Sequence, residues 1–251
     1  MPDAVAATEV PPLSPVARVI DAFVAPTKTF NDIRRNGSPW LWLLPFVLVC
    51  IVTFAFAYTV LHKVGLPTLV DSVIHSNASL ADRLANAPPD QAARIRSSIE
   101  MQFRFMYVAP VIILIVALIV SGIFLGTANF AFGGRARYSQ MLAVWFYGTL
   151  PLLFISILTI ITIFAGMQSD SFNIKNTVGT NVGYFMQGGD SPHWLVTLLS
   201  SFDVFAIWAG VLLTIGVSIV AGIKRSSAAI IVFGWWALYV IGQTAVTAIT
   251  G

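Results

Sequence analysis

Residues 107–134 read YVAPVIILIVALIVSGIFLGTANFAFGG, 28 positions without a charged side chain, held between Arg104 and Arg135. A helix rises about 1.5 Å per residue, so about 20 apolar residues cross a hydrocarbon core of roughly 30 Å. Lipid offers a backbone amide no hydrogen-bond partner, so such a segment must be helical, and it is too long for a barrel strand. Trp40–Leu61 is a similar run upstream; Tyr138–Ser169, Val204–Ile223 and Ser226–Gly251 follow downstream. Trimmed at their ends, these runs predict spans at 40–61, 107–132, 141–166, 204–223 and 228–250. The fold class read from them is an all-α integral membrane protein, a five-helix transmembrane bundle over residues 40–251.

Composition excludes the alternatives. The 251 residues are 57% hydrophobic and 10% charged, against roughly 25% charged in a soluble domain. A net charge of +3 on such a chain points to basic loops beside anionic lipid, not to nucleic acid. Cys50 stands alone, so neither an intrachain disulfide nor a multi-cysteine metal site can form.

Outside the spans, residues 1–13 (MPDAVAATEVPPL) are acidic and proline-rich. They read as a disordered tail without the basic and apolar regions of a cleavable signal, leaving span 1 to direct insertion. Residues 14–39 read as cytoplasmic, amphipathic and interfacial. Ser14-Pro15 is an N-cap followed by proline at the first helical position, and Val16, Val19, Ile20, Phe23 and Val24 recur at helical spacing. Pro26 ends that helix and can open a second, in which Phe30 and Ile33 continue the apolar side. Arg18, Lys28, Arg34 and Arg35 supply a basic side suited to anionic lipid. The pair either lies in the cytoplasmic leaflet or packs on the ends of the spans.

Residues 62–106 predict a helical hairpin insertion, Pro67–Asn86 and Pro89–Met106, separated by Ala87-Pro88. Residues 167–193 read as irregular surface structure and His193–Phe202 as an interfacial helix. With the N-terminus inside, the short basic loops GGRAR and KRSS share its side, which is the arrangement that the positive-inside rule weighs most. The C-terminus then lies across the membrane, the prokaryotic cytoplasmic (inner) membrane being the expected one.

Few residues promise chemistry. There is no zincin motif, nucleophile elbow or phosphate-binding loop, and His62, His75 and His193 are scattered. No cofactor or metal is expected, and the chain reads as a non-enzyme. Gly210, Thr214, Ser218 and Gly222 fall at four-residue spacing on span 4, and Gly122 and Gly126 repeat it on span 2. Small residues so spaced let helices approach closely, within one bundle or between copies. Pro151 lacks an amide and predicts a kink in span 3. Asp203 opens an apolar run, where a carboxylate either caps the helix or touches an ion or substrate.

The order of these motifs resembles a known family. Gly133–Pro151 (GGRARYSQMLAVWFYGTLP) is similar to the central segment of the Yip domain family, the Ypt/Rab-interacting five-span membrane proteins, in its prokaryotic branch. Asp203–Trp208 (DVFAIW), Gly216 and Lys224–Ala228 (KRSSA) resemble the family's ending, and Ala25–Ile33 (APTKTFNDI) its N-terminal entry. The resemblance implies five spans with a cytoplasmic N-terminus; eukaryotic members are linked to Rab GTPases, vesicle traffic and membrane shaping. The expected function is a non-enzymatic membrane-organising scaffold or interaction component, with lipid, other membrane proteins or further copies of itself as partners. A transporter or permease subunit with a site near Asp203 and the kinked span 3 is the alternative.

Overall fold

The computed structural model describes residues 11–75, 77–166, 172–174, 176–186 and 191–250. The expected tail, but for its last three residues, and much of the 167–193 loop lie outside them. Twelve α-helices follow in order among the described residues: α1 Pro15–Val24, α2 Pro26–Arg35, α3 Leu43–Thr59, α4 Leu66–His75, α5 Ala78–Ala85, α6 Pro89–Arg104, α7 Ala109–Gly126, α8 Tyr138–Gly148, α9 Leu153–Phe164, α10 His193–Ser200, α11 Val204–Ala221 and α12 Arg225–Thr250. Five continuous helical stretches are long and apolar enough to cross a membrane: Leu43–Val64, Pro89–Ala131, Tyr138–Phe164, Val204–Ala221 and Arg225–Ile249.

Each stretch begins and ends for a local reason. Span 1 widens into a π-turn over Val60–Val64 and stops at Gly65, whose φ of 85° favours glycine. Span 2 widens similarly over Thr127–Ala131, before Gly133 at φ 68°. Span 3 is two helices, α8 and α9, joined by a 3₁₀ turn over Leu150–Leu152 that contains Pro151. Span 4 ends in a left-handed cap at Gly222.

Spans 3 and 4 form the centre, with α11 lying against α8 on one side and α12 on the other. Around them Met141, Val144, Tyr147, Val217 and Ile231 make the principal core. Span 2 instead turns Val111, Ile112, Ile115 and Ile119 outward, more than half exposed. That is the pattern of a helix whose other side meets lipid.

The insertion between spans 1 and 2 differs from a simple hairpin. Its first arm breaks before Asn77, whose side chain caps α5 by accepting from the Leu80 amide at 3.0 Å. Its second arm is not separate, because Pro89–Ala131 runs on as 43 helical residues through a 3₁₀ turn at Phe105–Val108. At 1.5 Å per residue that rod is about 65 Å long, roughly twice the hydrocarbon thickness. Leu69, Val70 and Ile74 of α4 close against Ile99 and Phe103 of α6 in a second core at this end of the bundle.

Candidate functional site

The N-terminal helix pair does not lie across the end of the bundle. Three contacts show where it runs. Arg34, at the end of α2, lies beside Gly222. One turn back, Phe30 packs against Gly216, and a Cβ built at Gly216 would sit 2.8 Å from its Cε1 atom. Phe23, near the end of α1, meets Trp208 edge to face with ring centroids 5.7 Å apart. Gly222, Gly216 and Trp208 climb α11 over 14 residues, about 21 Å of helix. The pair is therefore a hairpin that rises alongside span 4 and turns back at Ala25-Pro26.

The turn follows from the residues present. Ser14 caps α1 through the Ala17 amide at 3.1 Å. Ala25, at φ −146°, breaks the helix ahead of Pro26, which begins α2. Ile33 and Phe30 are fully buried. Gln140 of α8 closes the far end of α2, donating from Nε2 to the carbonyls of Arg34 at 2.9 Å and Ile33 at 3.3 Å. Those carbonyls would otherwise lack partners.

Charge distribution on α1 departs from the expected basic outer side. Arg18 is 6% exposed, and its Nε donates to Asp32 Oδ2 at 2.5 Å. The other oxygen of Asp32 accepts from the Leu13 amide at 2.9 Å. Thr29, also buried, donates to the Arg18 carbonyl at 3.0 Å. Tyr147 of span 3 is fully buried beside this pair, with Arg18 and Asp32 as its charged neighbours. Asp21 pairs with Lys28 at 2.8 Å. Lys28, Arg34 and Arg35 are exposed, as a basic outer side requires.

The expected apolar face is split. Val19 and Phe23 turn in against the core. Val16, Ile20 and Val24 turn out at four-residue spacing and are 56–74% exposed. Ion pairs inside and aliphatic side chains outside are the reverse of a water-facing helix, and suit a lipid-facing one.

Basic residues from three segments share this end. Arg135 donates its amide to the Ala221 carbonyl at 3.0 Å, Arg137 lies beside Gly37, and Lys224 and Arg225 follow the Gly222 cap.

At the opposite end Asp203 caps α11 itself. Its Oδ1 accepts from the Phe205 amide at 2.8 Å and the Ala206 amide at 3.4 Å. Its Oδ2 accepts from the Thr180 hydroxyl and from Asn181 Nδ2 at 3.4 Å. Four donors account for a carboxylate's usual acceptor sites. The side chain is 6% exposed. Ser200, three residues earlier, instead accepts from Asn176 at 2.9 Å.

The small residues have separate surroundings. A Cβ at Gly210 would lie 2.9 Å from the Phe233 ring of α12, so that position packs span 4 on span 5. Thr214 donates to the Gly210 carbonyl at 2.8 Å and Ser218 to the Ile223 carbonyl at 2.8 Å, both within the local chain. Gly122 faces Tyr138, and Gly126 has open space around it. The closest approaches among the spans fall elsewhere. A Cβ would come within 2.6 Å of Leu213 at Gly148, and within 2.7 Å of Val144 at Gly216.

Asp32, Gln140 and Gly148 are residues that local pattern did not single out, while Arg18 was expected only on a basic outer side and Gly216 only as part of the motif shared with the family. Two acids among the N-terminal basic residues were the available signal for an internal pairing. Among the described residues no group of three or more His, Cys, Asp or Glu comes together.

The Yip1 domain model matches residues 20–246, taking in the hairpin from Ile20 onward, spans 1 to 4 and span 5 as far as Val246. No curated protein matches the chain, and no solved structure does.

Proposed function

The chain belongs to the Yip1 domain family, whose members are in general non-enzymatic membrane-organising proteins, and from that premise we propose that it shapes or organises a membrane by widening one leaflet. The carrying observation is the hairpin, whose ten-residue arms enter from the Gly222 end of span 4 and turn back at Ala25-Pro26 near Trp208. Five spans plus two helices fill the bundle from that end to the turn, and five spans alone fill what lies beyond it. A helix is about 10 Å across, so the pair adds on the order of 150 Å², weighted to the leaflet that it enters. Val16, Ile20 and Val24 meet acyl chains, while the exposed Lys28, Arg34 and Arg35 attract anionic head groups.

The basic residues gathered at the hairpin's open end support a cytoplasmic N-terminus, by the positive-inside rule. An odd number of spans then carries the C-terminus across. Partners in this reading are lipids and other membrane proteins. The saturated carboxylate of Asp203 gives the transporter alternative no support.

The test uses the full chain, with Cys50→Ala, reconstituted in phosphatidylcholine vesicles containing phosphatidylglycerol. A nitroxide at Val24→Cys should be relaxed by oxygen and shielded from an aqueous nickel chelate, while one at Arg35→Cys meets the chelate. Vesicles should narrow as the protein-to-lipid ratio rises. Equal chelate access at both sites, or vesicle size independent of protein content, would refute the wedge.

A further inference from the structure

The rod formed by α6 and α7 carries two distinct faces. Phe103, Pro110, Ala117 and Phe124 stand seven residues apart and are buried against the rest of the chain. Opposite them Met101, Phe105, Val108, Ile112, Ile115 and Ile119 follow one another in alternating steps of four and three residues, and are 41–59% exposed. Apolar side chains at that spacing form the seam by which parallel helices pair, knobs of one seated in holes of the other. The 3₁₀ turn at Phe105–Val108 leaves the register intact, since the buried face keeps its seven-residue step on both sides of it.

Lipid alone does not account for this seam. Acyl chains cover Ile112, Ile115 and Ile119, which lie within the uncharged stretch 107–134. They do not reach Met101 and Phe105, which share their part of the rod with Arg94, Arg96, Glu100 and Arg104. There a lone copy leaves the same apolar face to water, because α4 closes only on the opposite side, at Ile99 and Phe103. A cover that suits both zones is another helix that leaves the membrane in line with its own span. A second copy supplies one.

Copies inserted in one membrane share an orientation, so their rods stand parallel about a two-fold axis along the membrane normal. That axis sets Phe105 against Phe105 and Ile112 against Ile112. Arg104 flanks the seam and meets Ala109 of the second copy, so no like charges oppose. Arg94 and Ser98 continue the spacing with polar side chains, which ends the apolar seam at Met101. From Met101 to Ala131 the rod is about 45 Å long and about 11 Å across. Two such faces cover about 1,000 Å², the area at which specific interfaces begin. We infer that the exposed seam of this rod is the interface between two copies of the chain, formed inside the bilayer and continued beyond it.

The inference is separate from the leaflet wedge, which rests on the hairpin against span 4, and either can fail alone. Full chains carrying Cys50→Ala and one new cysteine would be co-expressed with two different tags and oxidised in the membranes of the expressing cell. Phe105→Cys and Met101→Cys should form a disulfide joining both tags at least about tenfold faster than Tyr107→Cys. Tyr107 lies at a similar depth but off the seam, its ring stacked on Phe54 of span 1. Phe105→Glu should slow crosslinking at Met101→Cys by at least about tenfold, with helicity and melting temperature in detergent unchanged. Val108→Asn, read at the same cysteine, gives a second check in the same direction. Equal crosslinking at Tyr107→Cys, a product that never carries both tags, or rates untouched by both substitutions would overturn the assignment.

Discussion

Breaking the Arg18–Asp32 pair, which ties α1 to α2 beside the buried Tyr147 of span 3, should open the hairpin. The side chains are 7% and 11% exposed, so removing one partner leaves an uncompensated buried charge, which costs about 3–5 kcal/mol. Arg18→Met leaves the Asp32 carboxylate with only the Leu13 amide; Asp32→Asn leaves the guanidinium beside the Tyr147 hydroxyl without a counter-ion. The double variant removes both charges and should lose no more than about 2 kcal/mol, because the penalty belongs to the unpaired charge.

Local opening can be read at Thr29→Cys in a Cys50→Ala background, by the rate of reaction with N-ethylmaleimide in detergent. Thr29 is fully buried and donates to the Arg18 carbonyl on the opposite arm, so reaction reports opening of the hairpin. A tenfold change in an equilibrium constant corresponds to about 1.4 kcal/mol. Each single variant should therefore react at least about 100-fold faster than the background, and the double variant less than about 30-fold faster. Single-variant rates within threefold of the background would refute a charged clasp. So would a double-variant rate equal to the product of the single effects.

Two further outcomes follow from named contacts. Gly216→Leu forces a side chain where even a Cβ would lie 2.7 Å from Val144 and 2.8 Å from Phe30; overpacking costs about 1–3 kcal/mol and should lower the melting temperature in detergent and quicken Thr29→Cys labelling. Gly126→Leu, into open space, should do neither. Asp203→Ala removes the α11 cap and its loop contacts, at about 1–3 kcal/mol, whereas Asp203→Asn keeps an acceptor and should melt within a few degrees of the parent. Equal destabilisation by both would show that charge, not capping, holds this end.

The five spans were legible because lipid imposes one strong constraint, an uninterrupted apolar run, and Arg104, Arg135, Arg137 and Lys224 interrupt the chain where water returns. The caps at Ser14 and Asp203 were legible for a similar reason, since each is satisfied within three residues. The hairpin's course was not. Both sides of α1 carry aliphatic residues, so periodicity could not say which side faces the protein. The decisive partner of Arg18 lies 14 residues away, on the other arm. Regular spacing likewise marked Gly210 and Gly222, while the closest helix approaches occur at Gly148 and Gly216, which no repeat connects. Spacing reports a shared face of one helix. It does not report how near the neighbouring backbone comes, or whose side chain fills the gap.

The long rod formed by α6 and α7 gives the molecule mechanical gain. With the apolar Ala109–Ala131 part placed in the bilayer, residues 89–108 form an arm of about 30 Å at 1.5 Å per residue. A 10° rocking of the embedded half about the membrane surface would sweep the tip at Pro89 through about 5 Å, comparable to one helical pitch. A tilt of the spanning half, of the kind that follows a change in bilayer thickness, would be magnified at that tip and carried to α4, which packs on the same arm.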